Sequence, residues 1–406
     1  MEEEICKTIE QSIREACVAL EAIEDKVVEE MIDAAIIQQA KNQHLSLQQK
    51  LRIRERVFHS VRGYDCLEEL FQMEDVTEIM INGYDSIFIE RHGKLVQWDQ
   101  KFSSLEKYMD VIQQVVAGCN RIVNERTPIV DARLKDGSRV NIVLPPIALD
   151  GAVMTIRRFP SNTYGMKDLV NMGMLSEEMA EDLRVLVESK YNVLVSGGTG
   201  SGKTTFLNAL SNYIPPTERI ITIEDSAELQ IRGIPNLVRL EVRNANVEGK
   251  NEITIKELIR SALRMRPDRI IVGEVRGEEA VDMLQAMNTG HNGSLSTGHA
   301  NSAKDMIYRL ETMVLMGMDI PLMAIRQQIA SAIDILVHIG RLPDGSRRVL
   351  EVSEVLGCEN GEVRLHTIYV MEENLLKNTK QICWRRMENF VNVEKAKTMG
   401  KKLAIT

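Results

Sequence analysis

Apolar positions recur at helical intervals through the first forty residues: Ile5, Ile9 and Ile13, then Cys17 and Leu20, then Val27, Met31 and Ile32. That spacing predicts helices, and residues 1–62 read as a helical N-terminal segment. Its charge changes sign along the way, acidic through Glu30 and then basic over Lys50, Arg52, Arg54, Arg56 and Arg62. A basic helix face of this kind can pair with the acidic stretch before it; a phosphate or lipid surface is the alternative. From about residue 66 the pattern changes. Thr77 to Glu90 reads as two short strands joined by Asn82-Gly83-Tyr84-Asp85, and a third follows the turn Arg91-His92-Gly93-Lys94. Leu105 to Cys119 predicts a helix. Residues 129–134, 139–144 and 153–157 predict strands, the first two joined by a hairpin at Asp136-Gly137. Residues 63–160 thereby make a mixed α/β domain.

Residues 161–175 follow Pro160, contain Ser, Asn and Gly, and read as a linker. Ser176, with Glu177 and Glu178 in the first turn, opens a helix that runs to Lys190. Beyond it, apolar runs near 191–196, 219–224, 237–242, 269–274, 294–298 and 334–339 alternate with helical patterns. The helices fall near 203–213, 253–265, 278–288, 302–316 and 321–332. Such alternation predicts an open, largely parallel sheet covered by helices. Two further runs, 347–356 and 362–370, flank Glu359-Asn360-Gly361 as a hairpin and close a domain over 176–370. The tail, 371–406, is basic and reads as helical in part.

The densest chemistry sits where the first strand of that domain ends. Val193-Leu194-Val195 enters Gly197-Gly198-Thr199-Gly200-Ser201-Gly202-Lys203-Thr204-Thr205, with the GxxxxGKT spacing of a phosphate-binding loop. Glycines let backbone N–H groups converge on an anion. Lys203 supplies a point charge for the β and γ phosphates, and the Thr204 hydroxyl can ligate Mg²⁺. The helix that follows would aim its positive end at the phosphates. The strand–loop–helix context the motif demands is present, so nucleotide binding is the firmest function the residues predict.

Hydrolysis needs an acid near the attacking water as well as a metal. Two acids end predicted strands, where a parallel sheet places its ligands. One is Glu224 in Ile220-Ile-Thr-Ile-Glu224-Asp225, followed by Glu228-Leu229; the other is Glu274 in Arg269-Ile-Ile-Val-Gly-Glu274-Val-Arg276. His299 also lies just past a strand, in Ser296-Thr297-Gly298-His299-Ala300-Asn301; His291 is a weaker candidate of the same type. Arg133, Arg139, Arg157 and Arg158 lie on or beside strands of the first domain. An arginine from another domain or subunit can stabilise charge on a phosphoryl group in transfer; surface ion pairing is the alternative.

Composition narrows the choice. A formal charge of −9, with aromatics at 4%, offers no basic–aromatic stripe and argues against a nucleic-acid binder. None of the six cysteines has CxxC spacing, so no zinc site is predicted. The acidic start lacks the basic and apolar regions of a signal peptide. No apolar run approaches the ~20 residues of a membrane span. A cytoplasmic protein, at most peripheral to a membrane, is the expectation.

Taken together, the motifs resemble the ATPases of the type II/IV secretion superfamily, most closely the Tad/Flp-pilus assembly branch. The resemblance covers roughly residues 65–370. It is carried by Gly-Gly-Thr-Gly-Ser-Gly-Lys203-Thr, by Ile223-Glu224-Asp225-x-x-Glu228-Leu229, by the variant Walker B acid within Arg264–Gly277, and by Thr297-Gly298-His299-Ala300-Asn301. Thr77-Glu-Ile-Met-Ile-Asn-Gly and Asp131-Ala-Arg133-x-x-Asp-Gly-Ser-Arg139 are also similar. The resemblance implies an α/β fold: a RecA-like P-loop motor domain, a smaller α/β N-terminal domain that closes over ATP, and an N-terminal helical segment. It implies a homo-oligomer in the form of a hexameric ring that splits ATP to ADP and phosphate with Mg²⁺, at the inner face of the membrane. Its partners would be inner-membrane platform proteins of a pilus or secretion machine. Glu274 would be the catalytic acid, Glu224 would assist at the Mg²⁺ and water, and Arg133, Arg139 and Arg157 would reach the nucleotide. Relatives in other branches often carry a tetracysteine zinc element after the phosphate loop; only Cys358 and Cys383 follow it here. A nucleic-acid motor and a nucleotide-gated scaffold without turnover are the rival readings.

Overall fold

A computed structural model describes residues 2–18, 25–40, 45–91, 93–119, 121–134, 136–158, 164–243, 251–376 and 379–403. The chain divides into two compact units, residues 1–161 and 162–406.

The first unit opens with three helices, α1 (Glu2–Val18), α2 (Asp25–Ala40) and α3 (Leu47–Arg62). They enclose a small core of their own, with Ile9, Val28, Ile32, Ile53 and Val57 almost wholly buried. A capping box of Ser46 and Gln49 starts α3. The basic face of α3 pairs with acids of α2: Arg54 lies 2.9 Å from both Glu29 and Asp33, and Arg62 3.4 Å from Asp25.

Next come α4 (Leu67–Gln72), β1 (Val76–Asn82), β2 (Ile87–Arg91), β3 (Lys94–Gln97), α5 (Leu105–Gly118), β4 (Ile129–Arg133), β5 (Arg139–Val143) and β6 (Val153–Arg157). The strands form one antiparallel sheet in the order β3-β2-β1-β6-β5-β4. Alternate residues such as Ile79, Ile81, Val140, Ile142, Met154 and Ile156 join Val111, Ile112 and Val115 of α5 in its core.

The second unit runs α6 (Met166–Asn171), α7 (Glu177–Glu188), β7 (Val193–Gly197), α8 (Lys203–Ser211), β8 (Ile220–Glu224), β9 (Leu237–Glu241), α9 (Ile255–Ala262), β10 (Arg269–Val275), α10 (Ala280–Asn288), β11 (Leu295–His299), α11 (Ala303–Gly317), α12 (Leu322–Ala332) and β12 (Ile335–Arg341). It finishes with β13 (Arg347–Glu359), β14 (Glu362–Leu376), β15 (Thr379–Arg386) and the short α13 (Glu394–Thr398). Nine strands make one sheet, ordered β15-β14-β13-β12-β7-β11-β10-β8-β9. The six from β12 to β9 are parallel and the last three antiparallel. The parallel strands are apolar on both faces because helices cover both. Val193 and Val195 of β7 face one core and Leu194 the other.

Two stretches differ from their sequence reading. Residues 161–175, read as a linker, carry α6, whose Met166 and Leu169 are buried with Met174 and Leu175 in the core of the second unit. Four apolar side chains at near-helical spacing outweighed the Ser, Asn and Gly around them; residues 161–163 lie outside the described residues. The tail, read as partly helical, first prolongs β14 to Leu376 and then adds β15, helix returning only in α13. The Trp384 indole of β15 donates to Val349 O at 2.7 Å, fixing that edge to the sheet. Among the described residues no helix is long and apolar enough to cross a membrane.

Candidate functional site: a phosphate loop among strand-tip acids

Parallel strands bring their carboxyl ends to one edge, and β7, β11, β10 and β8 are consecutive neighbours. The phosphate loop, His299, Glu274 and Glu224 therefore converge on that edge from four separate strands. Gly197 of β7 lies opposite His299 of β11 in register.

The loop leaves β7 at Gly197, where a Cβ would collide with the Ile339 carbonyl and stand 2.7 Å from Ser201 Oγ. Gly200 and Gly202 have φ of +70° and +92°, a conformation L side chains rarely adopt. Gly198, Thr199 and Gly200 are exposed at the tip. Gly202 caps α8, so Lys203, Thr204 and Thr205 occupy its first turn, Lys203 buried and the two threonines partly exposed. The Gly198 carbonyl gathers Ser201 Oγ at 2.9 Å and Lys203 Nζ at 2.9 Å, donors for which a phosphate oxygen would compete.

Lys203 Nζ also lies 3.3 Å from Nδ1 of His299, whose Nε2 stands 2.7 Å from Glu274 Oε1. The ammonium can only donate, so Nδ1 accepts from it; Nε2 is within ion-pair distance of Glu274 Oε1, an oxygen buried without a hydrogen-bond partner among the described residues. Burial holds the His299 pKa below its ordinary value; Glu274 opposes that, while Lys203, Arg276 and Arg309 reinforce it. The ring thus stands between the loop lysine and the acid, and burial favours its neutral form. Arg276 completes the row, its Nη2 2.8 Å from Glu274 Oε2 and its Nη1 3.8 Å from Asp225.

Glu224 is 3% exposed. Its Oε1 accepts the N–H groups of Glu228 and Leu229 at 2.8 and 2.7 Å, while Oε2 is buried without a partner among the described residues. Burial pushes its pKa up to about 7, against the pull of those two N–H groups. The orphaned oxygen fits a hard cation, as do the Thr204 hydroxyl and the Glu274 carboxylate. Among the described residues no cluster of three or more His, Cys, Asp or Glu is assembled for a metal. Mg²⁺, which keeps waters and phosphate oxygens, does not require one.

The remaining sequence candidates lie on other elements. His291 precedes β11 at the opposite edge of the sheet, with Nδ1 3.2 Å from Ala286 O. Arg133, Arg139 and Arg157 belong to the first unit, where they are direct cross-strand neighbours on β4, β5 and β6, with Glu78 of β1 beside them. Like charges opposite one another destabilise a sheet. Within the row Arg139 lies 3.8 Å from Asp131 and Arg157 3.7 Å from Glu78, while Arg133 Nε donates to Gly137 O at 3.1 Å. Arg158 turns inward and donates to the carbonyls of Leu70, Phe71 and Met73. Arg276 was legible only as part of a motif. Gly273 was legible only as the residue before Glu274 in the variant Walker B element, while Arg341 and Arg347, which also shape the site, left no local signal.

The sequence profile of the type II/IV secretion system protein family matches residues 60–403. A putative conjugal transfer protein of Mycobacterium tuberculosis is 36% identical over 313 residues, 76% of this chain and 88% of that protein. The probable conjugal transfer protein TrbB of Sinorhizobium fredii is 35% identical over 303 residues, 74% of this chain and 89% of its own length. Among solved structures, the pilus retraction motor PilT with bound ADP aligns with a TM-score of 0.53 at 22% identity, over 74% of this chain and 83% of that one. The likeness is one of fold.

Proposed function

Because this chain belongs to the type II/IV secretion system protein family, we propose that it is the ATP-hydrolysing motor of a secretion or pilus-assembly machine, working as a hexameric ring at the inner face of the cell membrane. The reaction is hydrolysis of ATP to ADP and phosphate. The observation that carries this reading is the unbroken contact from Lys203 through His299 to Glu274, with Glu224 on the next strand tip.

Lys203 and the loop N–H groups hold the β and γ phosphates. Glu274 lies one imidazole away from Lys203, placed to orient the attacking water and take its proton. His299 keeps the Glu274 carboxylate aimed and joins it to the group that grips the phosphate. Thr204, Glu224 and Glu274 would hold Mg²⁺, which neutralises charge on the phosphates when bound. Arg133, Arg139 and Arg157 form a cationic row that suits a polyanion, and we assign them to the nucleotide as it is enclosed.

The Tad/Flp branch is the finer assignment. It is supported by the lack of CxxC pairs after the phosphate loop. Platform proteins of such a machine would be its partners. A nucleic-acid motor is disfavoured by the net charge of −9.

Phosphate release by the wild type, Lys203→Ala and Glu274→Gln tests the activity: both variants should be nearly inactive. Turnover by Glu274→Gln at the wild-type rate would remove the assigned acid. Particle images with a nonhydrolysable ATP analogue test the ring, and a monomer at micromolar concentration would refute it.

A further inference from the structure

The β12–β13 hairpin lies along the phosphate loop. The Ile339 carbonyl fills the space beside Gly197, and Arg347 Cδ lies 3.2 Å from where a Cβ on Gly202 would stand. Between those points Arg347 Nε donates to the Gly200 carbonyl at 2.9 Å. The Arg341 guanidinium lies 4.0 Å from the Cβ position of Gly200, on the other strand of the hairpin. Both arginines are exposed, and among the described residues neither forms an ion pair. Asp344, the carboxylate at the hairpin tip, is engaged by Ser346 N–H and Oγ at 2.8 and 2.6 Å.

Two guanidinium groups without carboxylate partners therefore stand beside a loop built for an anion. We propose that the hairpin is a cationic clasp on the phosphate loop: Arg347 positions the loop through the Gly200 carbonyl, and Arg341 adds positive charge for the polyphosphate of the bound nucleotide. This rests on the ATP-binding reading and extends it. A cation on the Gly200 oxygen polarises the Gly200–Ser201 peptide and makes the Ser201 N–H a stronger donor. It also holds a loop whose left-handed glycines would otherwise be free to leave the binding conformation. An arginine suits the role because one nitrogen can grip the carbonyl while the others stay available to phosphate oxygens.

The test is calorimetric binding of ADP and of a nonhydrolysable ATP analogue to the full chain, with steady-state turnover alongside. Arg347→Ala and Arg341→Ala should each weaken both nucleotides by about tenfold, the scale of one charge-assisted contact. KM should rise in step and kcat change far less. Arg341→Lys should recover most of the loss, since it restores charge. The gap between wild type and Arg341→Ala should narrow in 0.5 M salt, which a purely structural lesion would not do. Thermal melts of each variant report whether it folds. Wild-type affinity in both folded alanine variants overturns the clasp and leaves the ATPase reading intact. Failure of the wild type itself to bind either nucleotide would instead overturn the ATPase reading.

Discussion

Gly273 makes room for Glu224. A Cβ at 273 would stand 3.0 Å from Glu224 Cγ and 3.5 Å from its Oε1, the oxygen that accepts the N–H groups of Glu228 and Leu229. The glycine before Glu274 therefore serves the acid on the neighbouring strand: β10 and β8 run side by side, and a side chain on one would displace the carboxylate carried by the other. Gly273→Ala should shift Glu224 by a few tenths of an ångström and lower kcat by about tenfold, since small misplacements at a reacting centre are costly. Phosphate release at saturating ATP checks this, with circular dichroism to show the fold intact. A folded Gly273→Ala protein with wild-type kcat would mean that the position of Glu224 is immaterial.

The relay through His299 makes a separate prediction. His299→Ala leaves Lys203 its contact with Gly198 O but cuts its link to Glu274. Nucleotide affinity should change little while kcat falls about 100-fold, the usual worth of a group that aligns proton transfer. Single-turnover rates beside equilibrium binding separate the two effects. Equal losses in binding and rate would assign His299 to phosphate binding rather than to the alignment of Glu274.

Glu224 predicts a pH dependence of stability. Its pKa in the folded chain is about 7 because the carboxyl is buried, well above the ordinary value of 4.5. The folded state thus holds this proton more tightly than the unfolded state. The stabilisation it brings is complete below pH 4.5 and is lost as pH rises through 7. Glu224→Gln cannot ionise, so without nucleotide or Mg²⁺ it should gain on the wild type between pH 5 and pH 8. The gain should be on the order of 3 kcal/mol. Denaturant titrations at four pH values measure it. A difference that is flat or falls with pH would show that the carboxylate is well solvated.

How much of this was legible in the sequence depended on the range of the interaction. The phosphate loop, Glu224, Glu274 and His299 are each signalled by neighbours a few residues away, and an apolar run ending in a polar group already places that group at a strand tip. The alternation of β7 to β12 with helices likewise announced a parallel sheet. Arg347 reaches Gly200 across 147 positions, and Gly273 matters because of a side chain on another strand. Neither relationship has a local pattern. The strand β15 was missed because only scattered residues of the tail are apolar, and its register is set by pairing with β14. The helix α6 was missed because one amphipathic turn is too short to stand out against Ser, Asn and Gly.

Beneath the site, at the far end of β10, Arg269 is fully buried and forms a forked ion pair with Glu218, Nη2 to Oε1 at 3.1 Å. Its Nη1 also donates to Val187 O at 2.7 Å and Gly293 O at 3.4 Å, joining the end of α7 to the loop before β11. Gly293 is required there, since a Cβ would stand 2.6 Å from Nη1. Removing only the arginine leaves a buried carboxylate, with Lys190 at 3.7 Å as its remaining ion-pair partner. Arg269→Met should therefore cost about 3–5 kcal/mol. Replacing both partners, Arg269→Met with Glu218→Leu, removes the stranded charge and should recover most of that loss. About 1 kcal/mol would remain for the Gly293 and Val187 carbonyls, which lose the arginine's N–H in either variant, Val187 O keeping the Lys190 N–H at 3.1 Å. Urea unfolding of the two variants beside the wild type gives the comparison. If the double variant is no more stable than Arg269→Met, the cost lies in the carbonyls and packing around Arg269 rather than in the charge of Glu218, left with Lys190 alone.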